Sequence, residues 1–252
     1  MSLYSVSLTC LHTAIGGYTG SLFFFFLKKE RLAEFLFITA FVLHTISQIS
    51  RGWFIGIFTP NAIFEGVFFL PWCLAFLVLG LRLFIKDRDL GYTALILILF
   101  LSLIALIYPK GIFPPSPKVK TIFSPLFHFS EILAHAFFGL GAWFSLLYLQ
   151  GKENARIFHS MVIWGFIFYS IAQVVGAIWC YLGWANLFNW SDRHMQSATV
   201  WCFYAAFLHL RFLPAWDMKK KALFSLAGFI LLLFFSYSSH FSEMNMLRLG
   251  GN

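Results

Sequence analysis

The chain has 252 residues, 60% of them hydrophobic and 11% charged, against about 25% charged in an ordinary soluble domain, so a water-soluble fold is excluded because it could not cover that much apolar surface. The formal net charge of +8 does not point to nucleic acid, because Lys and Arg sit in short clusters between apolar runs and not along one helix face. Clusters of that kind fit loops that meet an anionic lipid surface.

Spanning a hydrocarbon core of roughly 30 Å takes about 20 apolar residues. The apolar runs predict transmembrane helices at about 4–27, 32–50, 63–85, 91–108, 125–149, 157–181, 196–213 and 221–239. The first run reaches Leu27 before Lys28, Lys29 and Arg31 and lacks a basic n-region and small-residue cleavage site, so it reads as a retained helix. The expected fold is an all-α membrane protein, a bundle of about eight transmembrane helices forming one domain over residues 1–252, with no internal repeat. Cys10, Cys73, Cys180 and Cys202 form no Cys-x-x-Cys pair, which excludes a redox thiol pair and covalent c-type haem attachment to this chain.

An even number of spans puts both termini on one side. The loops after spans one, three, five and seven hold twelve Lys and Arg residues and the opposite side six. Positive-inside bias therefore places both termini on the outer, periplasmic side. Three longer connections then lie outside, at 51–62, 109–124 and 182–195. The second contains Pro109, Pro114, Pro115 and Pro117 and reads as a rigid strap. The third carries Trp184, Phe188 and Trp190 beside Trp179 and Tyr181. It is either an interfacial aromatic belt or a platform against which a flat apolar ligand packs.

His12, His44, His128, His135 and His209 fall within the spans. Imidazole inside lipid is costly unless it faces the bundle with a partner, so each is a candidate site residue, the plainer alternative being an interhelical hydrogen bond. Imidazole is also the usual axial ligand of haem iron. His128 lies one turn inside the outer end of span five and His240 at the outer end of span eight, so the two could clamp one iron. His209 lies about 13 residues into span seven, roughly 20 Å from the outer face, and belongs to a second, deeper site. His135 shares a face with His128 about 10 Å deeper, within roughly 5 Å of His209 in depth, and His44 lies nearer the outer face. Glu65 and Glu131 read as paired within the bundle or set in wet outer clefts, His12 as a packed residue and His159 as a residue of the inner interface.

The segment Trp179-Cys180-Tyr181-Leu182-Gly183-Trp184-Ala185-Asn186-Leu187-Phe188-Asn189-Trp190, leading on to Phe207-Leu208-His209-Leu210-Arg211, resembles the tryptophan-rich haem-handling segment of the CcsA/ResC cytochrome c assembly family and the Tyr-Leu-His-x-Arg helix after it. Gly56-Ile57-Phe58-Thr59-Pro60-Asn61-Ala62-Ile63-Phe64-Glu65, followed by Pro71-Trp72, is similar to a second stretch of that family. The resemblance implies that His128 and His240 ligate haem presented over Trp179, Trp184 and Trp190, and that His209 binds haem in transit within the membrane. It further implies one or two non-covalent b-type haems, and a ResB/CcsB-type partner that supplies the other inner ligand and holds apocytochrome c. The family's Trp-Asp-Pro-Lys-Glu is replaced here by Trp190-Ser191-Asp192-Arg193-His194, and Phe188 stands where a tryptophan is expected. These departures bear on haem transfer to apocytochrome and leave the haem ligands in place.

The expected function is haem transport or presentation at the outer face of a bacterial inner membrane or a thylakoid-type membrane, as a possible component of a haem lyase. The alternative is a dihaem b-type subunit that passes electrons between a quinone pool and an external multihaem cytochrome or iron–sulfur module, with His135 completing the deeper site in place of a partner. A transporter lacks its usual paired broken helices here.

Overall fold

A computed structural model of the chain describes residues 3–55, 63–84, 92–107, 121–152, 155–188 and 190–238. The described regular elements are helical: α1 Leu3–Phe26, α2 Glu30–Ile55, α3 Ile63–Phe84, α4 Leu95–Ile107, α5 Phe123–Leu149, α6 Ala155–Trp184, α7 Asp192–His209 and α8 Met218–Ser238, with a 3-10 turn at Leu210–Phe212. Among the described residues, three helical stretches are long and apolar enough to cross a membrane alone, Glu30–Trp53, Phe123–Leu149 and Arg156–Trp184, and Gly66–Arg82 and Leu95–Ile107 are shorter apolar helices. The chain divides into two compact units, Met1–Val119 and Lys120–Asn252.

Two expected boundaries are corrected. Helix α2 continues past Ser50 to Ile55, because Arg51 is buried with its guanidinium 4.8 Å from the Phe68 ring and need not leave the helix to find water. The connection expected at 182–195 is half helical: Leu182 to Trp184 close α6, and α7 opens at Asp192 after Ser191. Ser191 has extended backbone at φ −81° and ψ 155°, the N-cap conformation that serine favours. The expected strap at 109–117, the Gly56 to Ala62 stretch and His240 lie outside the described residues.

In the first unit, α1 and α2 form an antiparallel hairpin across a turn in which Lys28 takes a left-handed φ of 58°. Their backbones approach so closely that a Cβ on Gly17 would lie 2.8 Å from Ala40 Cβ. Hydroxyls staple the same seam. Ser21 Oγ donates to Ala33 O at 2.7 Å, while Ser7 Oγ donates to Ser47 O at 2.9 Å and Ser47 Oγ to Ser7 O at 2.7 Å. Small residues and such bonds are what hold helices together where the solvent is itself apolar. Helix α3 contains Pro71, whose missing N–H leaves the Val67 carbonyl without its helical donor in the turn that also carries Phe68. Side chains of α2 hold that turn: Gln48 Nε2 donates to Phe68 O at 3.0 Å, and Trp72 Nε1 donates to Thr45 Oγ1 at 2.9 Å.

The second unit is organised by rings seated on glycines. Helices α5 and α6 run antiparallel, with Phe127 against Trp179, Phe138 against Tyr169 and Tyr148 against Phe158. A Cβ on Gly165 would lie 2.6 Å from the Phe138 ring, and one on Gly176 would lie 2.9 Å from the Phe127 ring. Phe138 then stacks on Tyr204 of α7 at 3.5 Å between centroids, with the ring planes 5° apart. Helix α7 runs antiparallel to α6, since Tyr169 meets Ser197 and His159 meets Phe207, and so it runs parallel to α5.

Candidate haem-handling site

His128 sits in the second turn of α5 and is 3% exposed. Its Nδ1 lies 2.8 Å from Ser124 O. A carbonyl can only accept, so Nδ1–H donates and Nε2 is the unprotonated nitrogen, the form in which imidazole ligates a metal. A bond on the distal ring nitrogen is also what fixes a ligating imidazole in orientation. The ring stands edge-on to Phe127 at 5.0 Å and Trp179 at 5.8 Å, and Gly176 is the opening that lets Phe127 take its place.

The aromatic surface continues from there toward the end of α6 and past it. Trp179 meets Trp184 edge-on at 6.1 Å, and beyond the end of α6 Phe188 meets Trp190 at 5.4 Å. Trp184 is 55% exposed and Trp190 81%, so these indoles lie open on the surface of their unit although their ring systems are strongly apolar. A buried, oriented imidazole beside an open indole surface fits a flat apolar macrocycle carrying a metal at its centre. Among the described residues no three His, Cys, Asp or Glu side chains converge.

The inner candidates stand differently. His209 is exposed in the last turn of α7, its Nδ1 2.7 Å from Ala205 O and its ring 6.3 Å from Phe212, so it carries the same tautomer as His128. The half-buried ring of His135 lies 5.9 Å from Tyr169, whose hydroxyl donates to Ser197 O at 3.3 Å. The Phe138–Tyr204 stack sets the level of two parallel helices. His135 stands three residues before Phe138 and His209 five after Tyr204, so the two imidazoles are separated by about 12 Å along the axis. The expectation of roughly 5 Å is corrected: it counted both histidines from helix starts taken to be level, whereas Phe123 lies 15 residues before Phe138 and Asp192 twelve before Tyr204, so the starts of α5 and α7 differ by about 4.5 Å along the axis.

His44 lies in the first unit, fully buried. Its Nδ1 is 3.4 Å from Tyr18 Oη and its Nε2 3.4 Å from Gln48 Nε2. The Phe68 carbonyl fixes the Gln48 amide with its nitrogen turned toward His44 Nε2. Both ring nitrogens thus have protein partners, an arrangement that serves helix packing.

One residue at this end was not among the expected ligands. His194 lies ten residues before Tyr204, as His128 lies ten before Phe138, so the two histidines stand at one level on parallel helices. Ser191 Oγ is 2.9 Å from His194 Nδ1, and Phe188 meets the ring at 5.5 Å. The signal was present in the sequence as Ser191 three residues before His194, the spacing of an N-cap residue and its first-turn partner.

A family model described as "Cytochrome C assembly protein" matches residues 3–247. The chain is 24% identical over 261 aligned residues to "Cytochrome c biogenesis protein CcsA" of Pyropia yezoensis, covering 81% of this chain and 82% of that protein. It is 23% identical over 201 residues to the protein of the same name from Chlamydomonas reinhardtii, covering 71% of this chain and 57% of the relative. With the one from Prochlorococcus marinus (strain MIT 9515) it shares 29% identity over 82 residues, 32% of this chain and 26% of the relative. The matches therefore span most of the first of these relatives and less than two thirds of the other two.

Proposed function

Because the chain belongs to the cytochrome c assembly protein family, we propose that it is a haem-handling membrane protein that holds non-covalent b-type haem at the His128 end of its second unit and presents it for attachment to apocytochrome c. The observation that carries this reading is the buried His128 imidazole, oriented by Ser124 O and edged by Trp179, next to the open indoles of Trp184 and Trp190.

The haem supplies vinyl groups that combine with the cysteine thiols of the apocytochrome. His128 Nε2 would hold the haem iron, with its ring fixed by the bond from Nδ1 to Ser124 O. Phe127 and Trp179 keep water from that ligand, and Trp184 and Trp190 form the face over which the macrocycle lies. His240 is the second outer ligand. This end of the unit faces outward, as the excess of Lys and Arg in the opposite loops directs. His209 would hold haem deeper in the membrane, with a ResB/CcsB-type protein supplying the other ligand. The separation of about 12 Å between His135 and His209 favours that arrangement, since one iron cannot bridge it. The same separation removes the depth argument for a self-contained dihaem electron carrier.

Cells lacking this chain are expected to lose covalently haem-loaded c-type cytochromes, detected by haem stain after denaturing electrophoresis, and to regain them with the wild-type chain. A Trp190→Cys variant in such cells is expected to react with a membrane-impermeant maleimide from outside. Undiminished c-type cytochromes in the deletion strain would contradict the function, and labelling only after the membrane is opened would contradict the orientation.

A further inference from the structure

At one end of the first unit, Arg82 in the last turn of α3 is held between two rings, with its guanidinium 4.9 Å from Phe37 of α2 and 3.9 Å from Tyr92. Tyr92 is itself fixed, stacked on Phe25 of α1 at 4.5 Å and donating to Glu30 O at 3.4 Å. The guanidinium is thus oriented by α1, α2 and α3 together. Among the described residues its buried Nε and Nη2 have no hydrogen-bond acceptor, and no described carboxylate pairs with it. These two nitrogens are adjacent donors on one edge of the guanidinium, the edge that grips a phosphate or carboxylate with two parallel hydrogen bonds. With both rings against the guanidinium, an acceptor has to come to the edge that carries Nε and Nη2, which are the nitrogens left without one. A buried guanidinium edge without an acceptor is costly.

The surroundings select the anion. Lys28 and Lys29 are exposed on the α1–α2 turn that Tyr92 contacts, with Arg31 just beyond, against the carboxylates of Glu30 and Glu34 on the same stretch. Directly beside these cations, Phe23, Phe26 and Leu27 are exposed. Cations next to exposed apolar side chains at a helix end match a ligand with a phosphate and acyl chains together, and basic pockets between membrane helices are established sites for anionic lipid head groups. We propose that the Arg82 edge, with Lys28 and Lys29, binds the phosphate of an anionic phospholipid such as phosphatidylglycerol. This site is independent of haem and of the candidate ligands in the second unit.

The test is native mass spectrometry of the full chain exchanged into detergent with equal amounts of phosphatidylglycerol and phosphatidylcholine. The expected result is a retained phosphatidylglycerol adduct that phosphatidylcholine does not match. Retention should fall about fivefold in Arg82→Gln, the loss that follows removal of one interfacial cation. Arg82→Lys, which keeps the charge and loses the fork, should lie between. Should Arg82→Gln fail to fold, the lipid preference of the wild type and the Arg82→Lys comparison still decide. Equal retention of the two lipids, or an adduct unchanged in both variants, overturns the proposal. So does thermal stabilisation by inorganic phosphate alone equal to that by the lipid, because the site would then take a free anion.

Discussion

Replacing His128 by alanine is expected to strip the isolated chain of its outer haem and to change the visible spectrum from six-coordinate low-spin to that of residual or absent pigment. The imidazole is buried and its Nδ1 is committed to Ser124 O, so its Nε2 has one orientation and no neighbouring side chain on α5 can take its place. Disturbing even the partners of a metal-ligating histidine costs about 10–100-fold in affinity, and losing the ligand should cost no less. Imidazole added to the His128→Ala protein should partly restore the low-spin spectrum by filling the vacated ligand position. His44→Ala serves as the control: its ring nitrogens meet Tyr18 and Gln48, so it should lower stability and leave the spectrum alone. An unchanged spectrum and haem content in His128→Ala would remove this residue from the site.

The second large effect is expected from Gly165→Val. Even the first added carbon would fall 2.6 Å and 2.7 Å from two atoms of the Phe138 ring. That ring is fully buried and stacked face to face on Tyr204 at 3.5 Å, so it has nowhere to retreat. Overpacking of a close-packed interior costs about 1–3 kcal/mol, and here the branched side chain must also part α5 from α6. The expected outcome is a clearly lowered thermal midpoint in detergent and a weakened His135 environment, because Tyr169 touches both Phe138 and His135. Wild-type stability in Gly165→Val would show that the ring-on-glycine seat does not hold the unit together.

The helix pattern was legible because lipid demands long apolar runs, and the eight runs of the sequence correspond to α1 through α8 within a few residues at most ends. The misplaced ends fell where a charged residue stays inside a helix. Arg51 looked like a loop residue, but its burial over Phe68 depends on a ring from another helix, which no local pattern contains. The start of α7 was concealed by the polar run Ser191 to His194, and the relative level of the starts of α5 and α7, which sets the spacing of His135 and His209, depends on the packing of Phe138 on Tyr204. His44 shows the same limit from the other side. Gln48, four residues on, is visible as a neighbour on one helix face, whereas Tyr18 and the Phe68 carbonyl that orients Gln48 come from α1 and α3. The tryptophan-rich segment was recognisable as a motif. The burial of His128 against Trp179, which makes it a site, required the α5–α6 pairing.

The central claim, that this chain is a haem-handling protein with its outer ligand at His128, is tested most directly on the wild-type protein purified from haem-replete cells. The account predicts a coloured protein with a six-coordinate low-spin spectrum, whose haem is released by acidified organic solvent, identified as b-type, and present at one or fewer per chain when no partner is copurified. A colourless protein, or two haems per isolated chain, would contradict it.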